Sequence, residues 1–304
     1  MKVFLLFLDG VGIGPRDPDR NPFFSAQLPI LRSLFGGELP HLRSRRLVSD
    51  RASVHPVDAN LRMPGLPQSG TGQTAIFTGV NAAHTFGGHF GPYPPTVLRP
   101  IIAERSLFRR VRDAGKRVIL ANAFPARFFE YTASGTRRLT VTTMASLAAE
   151  IPLRTADDLA HNRAVSADFI RNRWKEMGHA NVEPVTAAEA GRHCAGIIAD
   201  HDLTVFDYWL TDHAGHRQDM AKAVRVLELL DAFLGGLLDA CDLRSTLILG
   251  ISDHGNIEDL STKSHTRNPV PCIAVGHQRE RCVERVRSLT HVAPCVLECL
   301  NIQP

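Results

Sequence analysis

No stretch of this 304-residue chain approaches the ~20 consecutive apolar residues that a membrane-spanning helix requires. The apolar opening Met-Lys-Val-Phe-Leu-Leu-Phe-Leu stops at Asp9, and no small-residue cleavage site follows a long enough run, so it does not read as a signal peptide. Cysteine is scarce: six residues, all from Cys194 onward, without a CxxC pair and without the dense spacing of a small secreted scaffold. They are expected to be reduced and mostly buried, with Cys295 and Cys299, one helical turn apart in an apolar segment, serving as core side chains. A block of one charge sign is also missing. The 35 Lys and Arg nearly balance 31 Asp and Glu, and basic residues such as Arg43, Arg45 and Arg46 are scattered. This argues against a nucleic-acid partner and is compatible with a small anionic one. No repeat or low-complexity tract interrupts the chain. The expectation is a folded cytoplasmic protein with no membrane partner, its oligomeric state left open.

What is present is an alternation of short apolar runs with longer helical patterns, the signature of an α/β sheet covered on both faces. Strands are expected at Val3 to Leu8, Val118 to Ala121, Leu203 to Tyr208, Thr246 to Ile251 and Cys272 to Val275. Helices are expected at Pro100 to Ala114, Ala187 to Ala199 and Met220 to Leu238, and a last one near Pro294. The segment 126–184 is richer in Thr, Arg and Asn, with helix-like pieces at Met144 to Glu150 and Ala167 to Gly178. The fold class is therefore an α/β three-layer sandwich with a central, mostly parallel sheet. A core of residues 1–125 and 185–304 would carry an inserted cap at 126–184, the expected seat of substrate specificity.

Functional side chains of such a sheet collect at the carboxyl ends of its strands. Three strand ends carry metal-ligand chemistry: Asp9-Gly10-Val11-Gly12, then Asp212-His213-Ala214-Gly215-His216, then Ser252-Asp253-His254-Gly255-Asn256. Each alone has an ordinary reading, an Asp capping the next helix or a surface His. Together they offer a mixed carboxylate and imidazole set suited to Zn²⁺ or Mn²⁺, with Mg²⁺ the weaker fit. His265 adds a further imidazole, and the set is large enough for two ions. A fourth element, Gln68-Ser69-Gly70-Thr71-Gly72-Gln73, reads as a Gly-rich turn entering a helix, where a hydroxyl meets exposed N–H donors. It is not a P-loop, because no Lys-Ser or Lys-Thr pair follows the glycines.

This ordered set resembles the alkaline phosphatase superfamily, and within it the branch of cofactor-independent phosphoglycerate mutase and phosphopentomutase. The motifs carrying the resemblance are Asp9-Gly10-Val11-Gly12, Asp212-x-x-x-His216, Asp253-His254-Gly255-Asn256 and His265-Thr266-Arg267-Asn268-Pro269-Val270-Pro271. It covers roughly residues 1–124 and 186–304. The resemblance implies that Asp212, His216 and His265 hold one divalent metal ion. Asp9, Asp253, His254 and a nucleophilic hydroxyl would hold the other. That hydroxyl falls on Ser69, with Thr71 the alternative, because Gln73 stands where the mutases carry a histidine. His89, Arg99 and Lys263 are candidate substrate contacts. His84 flanks the same loop as His89, His213 reads as a surface or supporting residue, and Arg127, Arg137, Arg138, Arg171 and Arg173 are possible anion binders in the segment 126–184.

The chemistry so implied is phosphoryl transfer on a small phosphorylated substrate through a phosphoserine. Release to water makes a phosphatase or phosphodiesterase, and release to a second hydroxyl makes a mutase. The short inserted segment favours hydrolysis, since a mutase must exclude water while its substrate reorients. A metal-stabilised binding protein without turnover is the rival from another class.

Overall fold

The computed structural model describes residues 1–135 and 138–304. A seven-stranded sheet runs through it: β1 (Lys2–Leu8), β2 (Leu47–Val48), β3 (Ala52–Val57), β4 (Val118–Leu120), β5 (Leu203–Tyr208), β6 (Thr246–Ile251) and β7 (Val270–Gly276), in the spatial order β2-β3-β7-β6-β1-β5-β4. β4, β5, β1 and β6 are mutually parallel, while β7 is antiparallel to both β6 and β3. The expected α/β sandwich is what the chain forms, around a mixed sheet whose parallel half, β4-β5-β1-β6, is continued by antiparallel ladders to β7, β3 and β2.

The central strands of the sheet are buried on both faces because most of their positions are apolar. In β1, Val3, Leu5 and Phe7 face one core and Phe4, Leu6 and Leu8 the other, following the two-residue period of a strand. The helices Ala187–Asp200 and Met220–Ala240 cover the second face, and Ser69–Thr78, Val141–Ala148 and Val292–Cys299 contribute to the first. The stretch expected as one helix from Pro100 to Ala114 is two, Arg99–Arg105 and Leu107–Asp113. They are separated at Ser106, whose backbone is extended (ψ 150°) and whose hydroxyl accepts from Arg109 N. Among the described residues no helix is long and apolar enough to cross a membrane.

One expected helix does not form. Residues 167–178 are turns, because Phe169 and Arg171 take left-handed φ values of 61° and 58°, and the Asp168 carboxylate accepts from Arg171 N and Asn172 N at 3.0 Å each. The left-handed backbone turns the Phe169 ring into the core, where it stacks on Phe233 at 4.2 Å and Tyr208 at 4.6 Å. The segment 126–184 thus divides its packing. Val141, Ala145 and Ala149 join the first core, Phe169 joins the second, and only a small cluster of Leu159, Ala164, Trp174 and Val182 with Ala123 stands apart. Arg137 lies outside the described residues.

Phe169 is fully buried among aromatic rings, so Phe169→Ala should lower the unfolding free energy by ~3–5 kcal/mol. Urea unfolding followed by far-UV circular dichroism should show one transition at lower urea. A separate early transition, leaving the main one in place, would mean that the segment folds on its own.

Candidate metal centre

The parallel ladders set the strand ends level. Leu8 of β1 pairs with Tyr208 of β5, and Phe7 pairs with Ile251 of β6, so Asp9 and Asp253 leave the sheet side by side and Asp212 follows from the first turn after β5. β7 runs the other way. Its first residues therefore lie at the same edge, and the loop that precedes it brings in His265. β3 ends at this edge too, with Val57 opposite Val270, and its continuation leads to Ser69 at the first position of the helix Ser69–Thr78.

Two groups of side chains result, Asp9/Asp253/His254 and Asp212/His216/His265, each offering ligand atoms within 4.8 Å of one another. They adjoin through the rings of His254 and His265, stacked at 3.7 Å and 12°. The first group is buried; the second opens to solvent through His216. Ser69 Oγ stands 3.0 Å from His254 Nε2, and that nitrogen is 3.4 Å from Asp9 Oδ1 and 3.5 Å from Asp253 Oδ2. Close approach needs glycine at two points. A side chain at Gly72 would place its Cβ 2.9 Å from that of Asp253, and one at Gly10 (φ 68°) would meet Asp212 Oδ1 at 2.5 Å.

The electrostatics call for positive charge. Burial pushes Asp9 well above the usual carboxylate range, reinforced by Asp253, Asp212 and Asp207. Burial followed by the charge of Asp212 lifts Asp253 to about 7, and burial lifts Asp207 to about 7 as well. Burial would raise Asp212 also, but hydrogen bonding from His216, the charge of His254 and a bond from Asn256 together hold it below the normal range. His216 is correspondingly raised by Asp212, while burial lowers His254 and His265. Asp9 Oδ1 is buried with no hydrogen-bond partner.

The histidine tautomers point the same way. His216 Nδ1 lies 2.9 Å from the Lys263 carbonyl and His265 Nδ1 lies 2.8 Å from the Pro67 carbonyl. A carbonyl only accepts, so both Nδ1 atoms carry a proton, and the two Nε2 atoms face each other across 3.2 Å, with His216 Nε2 also 3.2 Å from Asp212 Oδ2. Two Nε2 atoms and the Asp212 carboxylate converging on one point fit a divalent cation, which would displace any proton held between them, and backbone-anchored Nδ1 atoms are the usual support for metal-binding imidazoles. The residues present therefore fit the ions that the sequence implies.

A family model described as the metalloenzyme superfamily matches residues 1–304. The chain belongs to the metalloenzyme superfamily. Among its relatives, the 2,3-bisphosphoglycerate-independent phosphoglycerate mutase of Desulforudis audaxviator is 32% identical over 111 residues, which are 34% of this chain and 22% of that protein. The chain thus spans about a quarter of the length of the curated relatives it matches. The PH0037 protein of Pyrococcus horikoshii shares the fold with a TM-score of 0.59 at 14% identity, covering 99% of this chain and 96% of its own. The alkaline phosphatase of Thermus thermophilus does so at 0.54 and 12% identity, covering 100% and 92%.

Other residues of this metalloenzyme fall in several places. Thr71 is buried, but its hydroxyl donates to Gln68 O at 3.1 Å and accepts from Phe90 N, which ties it to the loop rather than to the ligands. Gln73 Nε2 reaches both Asp9 Oδ2 and Asp253 Oδ2 at 3.5 Å, so the glutamine bridges two carboxylates. His89 lines a cleft of about 470 Å³ beside Ser69, together with Leu66, Gln68 and Phe90. Arg99 begins the helix Arg99–Arg105, and Lys263 is exposed and serves His216 through its carbonyl. His84 and His213 are exposed, the latter edge-on to Trp209. Arg171 is buried against Asn162 and Arg173 pairs with Glu176, while Arg127 and Arg138 are exposed.

Two residues that the sequence reading passed over matter here. Glu258 is fully buried and accepts from Gly12 N, Asn256 N, Thr266 Oγ1 and Asn268 Nδ2, pinning three of the motif loops to one carboxylate. Asp207, within β5, accepts from Thr142 Oγ1 at 2.7 Å and adds its charge beneath Asp9. An acidic residue inside an otherwise apolar strand was the available signal.

Asp207 gives a pH test. Its folded pKa of about 7 exceeds the usual 3.8, so its contribution to stability is complete below pH 4 and is lost as pH rises to 7. In chelator-treated protein, Asp207→Asn should gain stability over wild type by up to ~1.4 kcal/mol per pH unit across that window and then level off. Urea unfolding at intervals from pH 4 to 8 measures the difference; a pH-independent difference would remove the assignment.

Proposed function

We propose that the chain catalyses metal-dependent phosphoryl transfer with Ser69 as nucleophile, hydrolysing a phosphate monoester or diester. The observation that carries the reading is the single hydroxyl, Ser69 Oγ, set at a helix N-terminus and 3.0 Å from His254, beside two adjoining sets of Asp and His. Asp9, Asp253 and His254 would hold one divalent ion with Ser69, and Asp212, His216 and His265 the other. Such ions supply positive charge that lowers the pKa of a serine hydroxyl and neutralises phosphoryl oxygens. Zn²⁺ and Mn²⁺ suit this mixed donor set best.

The remaining work belongs to the chain. Ser69 attacks phosphorus in line and takes the phosphoryl group as phosphoserine, with the helix dipole favouring the added negative charge. Gln73 holds Asp9 and Asp253 in place, and the Pro67 and Lys263 carbonyls hold the two imidazoles. The cleft lined by Leu66, Gln68, His89 and Phe90 would receive the leaving group, and Arg99 and Lys263 remain candidate contacts beyond it. Transfer of the phosphoryl group from phosphoserine to water, releasing phosphate, is favoured because much of the segment 126–184 is committed to the two cores. Little of it is left to enclose a reorienting substrate. The names of the matched relatives favour the mutase as the second reading. The part of the segment with its own cluster, around Trp174, is the proposed place where substrate choice is made.

A panel of phosphate monoesters and diesters, assayed with Mn²⁺, Zn²⁺ and Mg²⁺, should release free phosphate or an alcohol in a metal-dependent way. Ser69→Ala should lower kcat by ~10³-fold or more while keeping the wild-type metal content, and Asp253→Ala should lose both. Phosphate moved within the substrate without release would assign the mutase instead. Ligand binding unchanged in Ser69→Ala, with no turnover in wild type, would assign a binding protein.

A further inference from the structure

Away from the carboxylates, three thiols from two successive helices meet. Cys295 and Cys299 lie one turn apart on the helix Val292–Cys299, and Cys282 comes from the helix Arg279–Arg285 packed beside it. All three are buried to within 1% of full burial, and their sulfurs lie within 4.8 Å of one another, with Cys282 and Cys295 at 3.5 Å. Three sulfurs around one ion at about 2.3 Å stand roughly 3.8 Å apart, which falls inside this range. Nearby in the same core is the β3–β7 ladder, where Cys272 stands opposite His55. His55 Nε2 donates to the Val286 carbonyl at 2.9 Å, leaving a buried Nδ1 lone pair without a partner.

We propose that Cys282, Cys295 and Cys299 form a thiolate site for a zinc-class cation, built from residues outside the Asp and His sets and independent of the phosphoryl-transfer reading. Three soft donors with no carboxylate among them select Zn²⁺ over the hard cations. On binding, the three thiols release three protons, and the three thiolates with Zn²⁺ leave one net negative charge. Hydrogen bonds from Cys282 and Cys295, then Arg281 and His277, lower the Cys299 thiol, whereas the Cys282 and Cys295 thiols are raised within the same cluster, Cys295 partly by Glu298, so the ion itself must drive their deprotonation. A tied pair of helices would brace β7, the strand that His265 precedes.

Cobalt titration of the reduced full chain tests the site, because only sulfur ligands give the intense near-ultraviolet thiolate-to-cobalt charge transfer. Cobalt at the Asp and His groups lacks it. The band should saturate at one Co²⁺ per chain and bleach on adding Zn²⁺. It should fall at least about tenfold in Cys295→Ser and Cys299→Ser while persisting in Cys194→Ser. Absence of the band in wild type overturns the proposal whatever the variants do, and so does its persistence in both cluster variants. Formation of a Cys282–Cys295 disulfide in place of metal capture, seen as a two-hydrogen loss in intact mass, overturns it equally.

Discussion

Four aspartates, Asp9, Asp207, Asp212 and Asp253, are gathered where β1, β5 and β6 end, and as free anions they cannot coexist there. Burial first, and then each carboxylate's charge on its neighbours, puts Asp9, Asp207 and Asp253 above the ordinary carboxylate range. The fold stabilises this concentration only in part, through the backbone N–H of Gly10 on Asp253 and the amide of Asn256 on Asp212. The deficit is a positive charge, and burial keeps His254 and His265 from providing it. Metal affinity is thus a consequence of the sheet's register as much as of the ligand identities.

That register must be transmitted to loops, and Glu258 is how the chain does it. Four donors from three motif loops satisfy one buried carboxylate, which leaves those loops no independent freedom. Ser252 adds a second tie, accepting from Val11 N at 2.8 Å and donating to the His254 carbonyl at 3.0 Å. Both ties run between the β1 and β6 loops. Displacement of either loop would cost the whole network, so the two carboxylates that leave these strands keep a fixed separation.

The parts of the fold legible in the sequence were those whose burial leaves a simple pattern. Leu203–Tyr208 and Thr246–Ile251 are apolar runs buried on both faces and end in polar turns, so both boundaries could be read from the residues. β3 was not readable, because Pro56 argues against a strand. In the structure Pro56 faces Pro271 across the ladder, at a non-bonded pair where neither residue needs an N–H. The helix expected at residues 167–178 failed for the opposite reason: its apolar spacing was real, but the backbone reverses at Phe169 to serve the other core. At the metal centre, the residue types and their order at strand ends were legible, whereas the convergence of Cys282 with Cys295 and Cys299 was not, since nothing in their spacing foretells which helices pack together.

Under the proposed reading, in which Ser69 takes the phosphoryl group, the position of the segment 126–184 bears on where that group goes next. A mutase has to keep water from the phosphoserine for as long as its substrate takes to turn, which requires an element free to close over the cleft. Here the helix Val141–Ala148 is held by Val141 and Ala145 in one core, and Thr142 from the same helix is bonded to Asp207 beneath the site. Phe169 is held in the other core by a stack of rings. An element anchored at both of these points can shape the rim of the cleft but has little freedom to travel across it. With the exposed His216 on one side and the open cleft at His89 on the other, water has a path to the phosphorus that a closing domain would have to seal. This anchoring is the physical ground on which we propose hydrolysis rather than mutase chemistry.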